Sequence, residues 1–165
     1  MNPFKSIPFL IHLVTLLKEF ILTPDLTNQG KLYAAALLQM GRDASPRDLV
    51  PDDVACVESV TTLIHQIRPE VPIMTGTWTF LEYLKRSSML FQKTDDPKPG
   101  CIIISPTGTG NGKLKNGHTG IIGKDGIIMS NDSASGLFLE NYTLESWKHK
   151  YGKIGGFPVE FYRLV

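Results

Sequence analysis

Apolar residues change their spacing twice along this chain, and the changes divide it into three stretches. From Ile7 to Leu22 the sequence is largely apolar, while Pro8, His12, Thr15 and Glu19 recur at steps of four, three and four. That spacing puts these four on one narrow stripe of a helix whose remaining face is apolar. It predicts an apolar N-terminal helix within residues 1–24. Lys18 and Glu19 interrupt the run before the roughly 20 apolar residues that a spanning helix requires. Lys5 and the apolar stretch match the first two parts of a signal peptide, but Leu22-Thr23-Pro24 offers no small-x-small cleavage site. The helix is expected to lie on a membrane or partner surface, or to pack on its own domain, with a spanning anchor as the minor case.

After Thr23-Pro24 the apolar positions thin to helical spacing. Leu32, Ala36, Leu37 and Met40 define one helix face, and Gly41 is its expected stop. A loop follows over 42–51, where Pro46 and Pro51 favour an extended entry into the next element. Val57, Val60, Ile64 and Ile67 repeat at three, four and three, which predicts a helix over 52–67 capped by Asp52 or Asp53. A further helix is expected from Trp78 to Arg86.

Beyond Pro97-Lys98-Pro99-Gly100 the period shortens. Cys101-Ile102-Ile103-Ile104 reads as a strand buried on both faces, and Cys101 as core. Gly117 to Gly123 and Gly126 to Asn131, joined through Lys124-Asp125-Gly126, form a hairpin signature. Leu137 to Tyr142 is a strand, Thr143 caps a short helix from Leu144 to Tyr151, and Phe157 to Leu164 is a closing strand. Helices followed by strands place residues 25–165 in the α+β class, with N-terminal helices packed on a small antiparallel sheet.

Composition narrows the function classes. A chain of 165 residues with 42% apolar content can bury one core. Its 17 basic and 16 acidic residues nearly balance and form no run of five or six like charges, so no bulk field favours nucleic acid. Cys56 and Cys101 are too few for a disulfide framework, and no Cys or His pair has zinc-ligand spacing. The glycine-rich loop Ser105 to Lys113 fails as a phosphate-binding loop, since Thr107 stands where Gly is needed and Leu114 where Ser or Thr is needed. It reads as a mobile rim beside a site. Asn131-Asp132-Ser133 and Asn141-Tyr142-Thr143 match the glycosylation sequon, as expected by chance at this length.

The candidate chemistry lies in Cys56, His118 and Asn131. Cys56 falls in the first turn of its helix, where partial positive charge and free amides stabilise a thiolate. His118 and Asn131 fall at matching ends of the hairpin strands, as a base and its orienting amide require. Asp132 and Ser130 are rivals for the third position. Taken alone, Cys56 reads as a small buried hydrophobe. Trp78, Tyr83 and Trp147 are candidates for a substrate groove, although aromatics at such spacings more often belong to a core. His65 and His149 read as surface residues.

These residues carry a resemblance. A helix-borne Cys in Asp52-Asp53-Val54-Ala55-Cys56-Val57-Glu58-Ser59-Val60, the turn and strand Pro99 to Ile104, and Asn116-Gly117-His118-Thr119-Gly120-Ile121-Ile122 resemble the CHAP and NlpC-type branch of the papain-like cysteine hydrolases. The resemblance spans Asp48 to Val165. Met129-Ser130-Asn131-Asp132-Ser133 is also similar to phage and bacterial wall-lytic members. The chain departs from the pattern at Cys101, where many relatives carry Asp, and the third catalytic position varies within the group. The resemblance implies a papain-like fold and hydrolysis of peptide or amide bonds in peptidoglycan, with Cys56 as nucleophile, His118 as base and no cofactor. It implies action at the bacterial cell wall or periplasm. Acyl transfer or hydrolysis of another amide substrate, as by a toxin domain, is the rival within that fold. A non-catalytic wall-binding or membrane-associated module is the rival outside it.

Overall fold

The structure is a computed structural model and describes residues 27–165, so the expected helix within 1–24 lies outside the described residues. The first described helix, α1 (Asn28–Gln39), is opened by Thr27, whose side chain accepts from the Gly30 amide at 3.1 Å. Gly41 follows at φ +73°, a left-handed conformation that ends the helix where the sequence placed the stop.

The helix expected over 52–67 is divided. Asp52–Val54 forms a 3-10 turn closed by Val54 N to Pro51 O and Ala55 N to Asp52 O, and α2 (Cys56–Ile67) starts afresh after Ala55. Neither Asp52 nor Asp53 caps α2, because Ala55 holds the cap position without a side-chain bond. The Asp52 carbonyl instead receives the Asn131 amide at 2.7 Å, which ties the turn to the sheet. On the same helix Glu58 is fully buried. Its carboxylate accepts from Ser45 Oγ at 2.9 Å, Arg47 N at 3.0 Å and Leu49 N at 3.1 Å, closing the 42–51 loop onto the start of α2. The third helix, α3 (Thr77–Arg86), begins after Gly76.

The sheet comprises β1 (Phe91–Lys93), β2 (Ile102–Ser105), β3 (His118–Ile122), β4 (Ile127–Asp132), β5 (Leu137–Thr143) and β6 (Glu160–Leu164). Its order is β1-β6-β2-β3-β4-β5, antiparallel throughout. The fold class is therefore α+β, with helices on a six-stranded antiparallel sheet. Side chains alternate between two cores. Ile102, Ile104, Ile121 and Met129 pack with Leu32, Val60, Ile64 and Phe80 of the three helices. Cys101, Ile103, Ile122 and Ile128 pack on the other face with Trp147, Tyr151 and Phe157. Burial on both faces explains the unbroken apolar run Cys101 to Ile104. Each fully buried isoleucine there contributes about 1.5–3 kcal/mol.

The second face is covered by α4 (Leu144–Trp147), opened by a capping box between Thr143 and Ser146. The expected continuation to Tyr151 is not α-helical. Lys148–Ile154 widens into a π-helical turn, a form frequent beside functional sites, and it carries Lys150 and Tyr151 to the end of the sheet where β3 begins.

Candidate active site

Cys56 is the first residue of α2, so free helical amides surround its sulfur. The N–H groups of Thr119, Val57 and Cys56 itself favour the thiolate. Thr119 directly follows His118, which brings the start of α2 against the start of β3. Burial outweighs these donors. Cys56 is 6% exposed, and desolvation pushes its thiol up to about 11. The standing thiolate expected from the helix terminus is thereby corrected to a neutral thiol.

His118 lies on the β3 face that packs against α4 and the π-helical turn. Its ring stacks on Trp147 at 5.3 Å and on Tyr151 at 5.6 Å, with the Tyr142 edge at 5.9 Å. Burial, and then the nearby Lys150 charge, push the imidazole down to about 4, while the Asn131 carbonyl and the Asp132 charge act in the opposite sense. The resting pair is a neutral thiol and a neutral imidazole.

The hydrogen-bond network fixes the tautomer of that imidazole. Asn141 Nδ2 donates to the Asn131 carbonyl at 3.1 Å, so its Oδ1 faces Ser130 and accepts from Ser130 Oγ at 2.6 Å. The single hydroxyl proton of Ser130 is committed there. The His118 Nε2 contact to Ser130 Oγ at 3.1 Å must therefore carry the proton on nitrogen. Nδ1 is left unprotonated, the state a base requires. Asn141 reaches this position through a β-bulge: Ile128 pairs with Tyr142 but Met129 with Glu140, so Asn141 is the extra residue in β5.

Two glycines make room for the arrangement. A Cβ on Gly117 would lie 1.9 Å from the Ser105 carbonyl, so only glycine fits immediately before His118. A Cβ on Gly120 would lie 2.9 Å from Ser130 Cβ, on the face where Ser130 approaches the imidazole.

Cys56 and His118 line one cleft of about 450 Å³, together with Asp53, Thr107, Lys150 and Tyr151. Of the glycine-rich loop Ser105 to Lys113, Thr107 lines the cleft. Thr107 is pinned there: its amide donates to Thr77 Oγ1 at 2.8 Å and its Oγ1 accepts from Gly117 N at 2.8 Å.

The remaining candidates separate clearly. Asn131 is buried, but its side chain faces away from His118, since alternation along β4 sends Ser130 and Asn131 to opposite faces. Ser130, the rival, holds the imidazole. Asp132 accepts from Ser135 N and Oγ and stabilises the β4–β5 turn. None of the three groove aromatics lines the cleft: Trp78 is exposed elsewhere, Tyr83 packs edge-on against Phe91, and Trp147 is fully buried beneath His118 with its Nε1 donating to Ser105 Oγ. His65 is half-buried and bonded to the Val71 carbonyl at 2.8 Å, whereas His149 is exposed. Sequence reasoning missed Asn141, Lys150 and Tyr151. Only the bulge and the π-helical turn bring them to the site, and neither has a signal in residue spacing.

A thiol and an imidazole with a fixed tautomer, sharing a cleft with helix-terminal amides, are suited to nucleophilic attack on a carbonyl carbon. Comparison of the chain with protein-family models, curated proteins and solved structures found no match.

Proposed function

We propose that this chain is a papain-like, thiol-dependent hydrolase of the CHAP or NlpC type that cleaves peptide or amide bonds of bacterial peptidoglycan. The observation that carries the reading is that Cys56, at a helix start, and His118, whose tautomer is set by Ser130 and Asn141, line one cleft. The substrate class comes from the sequence resemblance. In this reading the neutral pair reacts as thiol and base: His118 Nδ1 takes the Cys56 proton as Sγ bonds to the carbonyl carbon. Amides at the start of α2 stabilise the oxyanion. Collapse breaks the C–N bond, His118 Nδ1 returns its proton to the leaving amine, and water activated by the same nitrogen then releases the acid and restores the thiol. The imidazolium formed in each step keeps its Nε2–H on Ser130, and that hydrogen bond strengthens as charge develops.

One observation favours a different reading. The near-complete burial of Cys56 suits a structural thiol in a wall-binding or membrane-associated module. Release of new amines from purified peptidoglycan by the wild type and by Cys56→Ala, with mass analysis of soluble fragments, separates the two. The hydrolase reading expects release that is lost in the variant, with fragment masses naming the bond. No release by the wild type on several wall chemotypes supports the module, and release that survives Cys56→Ala removes Cys56 as the nucleophile.

A further inference from the structure

Lys150 stands apart from the other charged groups of the cleft. Its Nζ donates to Tyr142 OH at 2.7 Å and lies 4.9 Å and 5.2 Å from the Tyr142 and Tyr151 ring centres. Both rings pack directly on His118. The ammonium is thus held within one aromatic ring of the base, and among the described residues no carboxylate pairs with it. Lys115 also lines the cleft, against the single acid Asp53.

We propose that Lys150 is a specificity-determining residue that binds a free carboxylate of the substrate, next to the amide carbonyl that Cys56 attacks. The proposal rests on the reading of Cys56 and His118 as the reacting pair. A fixed cation beside His118 works against the chemistry, because it repels the imidazolium that must form when the thiol gives up its proton. A bound carboxylate removes that penalty. The same contact would select the substrate and permit charge separation in the pair, so an amidated analogue would be disfavoured both in binding and in the chemical step. The ammonium has three donors and one is held by Tyr142, which leaves two for a carboxylate.

The test compares alkylation of Cys56 by iodoacetate, which carries a carboxylate, and iodoacetamide, its neutral analogue, across a pH series, with Cys101 as internal reference. The rate ratio of acid to amide at Cys56 is expected to fall about fivefold in Lys150→Gln, the size of one partly exposed ion pair. It is expected to be retained in Lys150→Arg and in Lys115→Gln. An unchanged ratio in Lys150→Gln overturns the proposal, as does a loss that follows Lys115→Gln instead. Failure of both reagents to reach Cys56, even at alkaline pH, also overturns it, since the cleft would then exclude a small carboxylate. Wall fragments differing only in a carboxylate or carboxamide provide the second readout. Wild type should favour the acid in kcat/KM, and Lys150→Gln should lose that preference. Retention of the alkylation effect without any wall cleavage would refute the hydrolase reading while leaving the anion site intact.

Discussion

Replacing Ser130 by Ala tests the part of the site that sequence spacing assigned to a neighbour. Ser130 Oγ hydrogen-bonds both His118 Nε2 and Asn141 Oδ1, at 3.1 Å and 2.6 Å. Its removal takes a partner from a buried imidazole N–H and from a part-buried carbonyl. At about 1–3 kcal/mol for each group that loses its partner, the loss of stability is about 2–6 kcal/mol. The effect on turnover has a separate origin. Without Ser130 the Nε2–H tautomer loses its preference, and the imidazolium formed during attack loses a charge-assisted bond worth about 1.5–3 kcal/mol, which gives a drop of about 10–100-fold in kcat/KM. Asn131→Ala is the matched control. It removes the Asn131 amide from the Asp52 carbonyl, so it should lower stability by about 1–2 kcal/mol and leave the pH profile of kcat/KM in place. Thermal unfolding and initial rates of amine release across pH measure both quantities. The reasoning is refuted if Ser130→Ala keeps kcat/KM within about twofold, or if Asn131→Ala shows the larger loss in rate at equal stability.

Stability should depend on pH through the two buried groups. His118 is held at about 4 against an ordinary 6.5, so the unfolded chain binds the additional proton between those values, and stability should fall by about 3 kcal/mol as pH drops from 6.5 to 4. Cys56 is raised from 9 to about 11, so its contribution is complete below pH 9 and should decline by about 3 kcal/mol as pH rises to 11; Cys56→Ala should make the alkaline limb shallower by that amount in chemical denaturation, the remaining slope coming from Cys101, Tyr151 and Tyr162, which burial also raises. Glu58→Gln places amide protons against the Arg47 and Leu49 N–H donors and the Ser45 hydroxyl. It should cost about 2–4 kcal/mol and increase amide exchange over 45–50, whereas unchanged exchange would remove Glu58 as the anchor of that loop.

Much of the scaffold was legible because its elements are locally specified. Gly41 ends α1 through its positive φ, the spacing from Val57 to Ile67 buries one face of α2, and Thr143 caps the last helix. Ile102 to Ile104 face both cores, which is why their run is unbroken. Cys56 and His118 were legible for the same reason, as residues at element starts. The break at Ala55 was not, because it depends on Asn131 reaching across the chain to the Asp52 carbonyl. The choice between Ser130 and Asn131 turns on the pleat of β4, and a one-residue error exchanges the two faces. Asn141 required the bulge, and Lys150 and Tyr151 required a π-helical turn, both of which are set by packing against the sheet and not by propensity. The charge state of the pair was misjudged because the helix terminus was legible in sequence and the depth of burial was not.

The most direct test of the account is a double-mutant cycle on Cys56 and His118, reading amine release from peptidoglycan with Cys56→Ala, His118→Ala and the combination. Two residues acting as one unit are non-additive. The expected result is that each single variant abolishes thiol-dependent release and the double variant is no worse than either. Independent, additive losses, or release that persists in Cys56→Ala, would contradict the assignment of these residues as a nucleophile and its base.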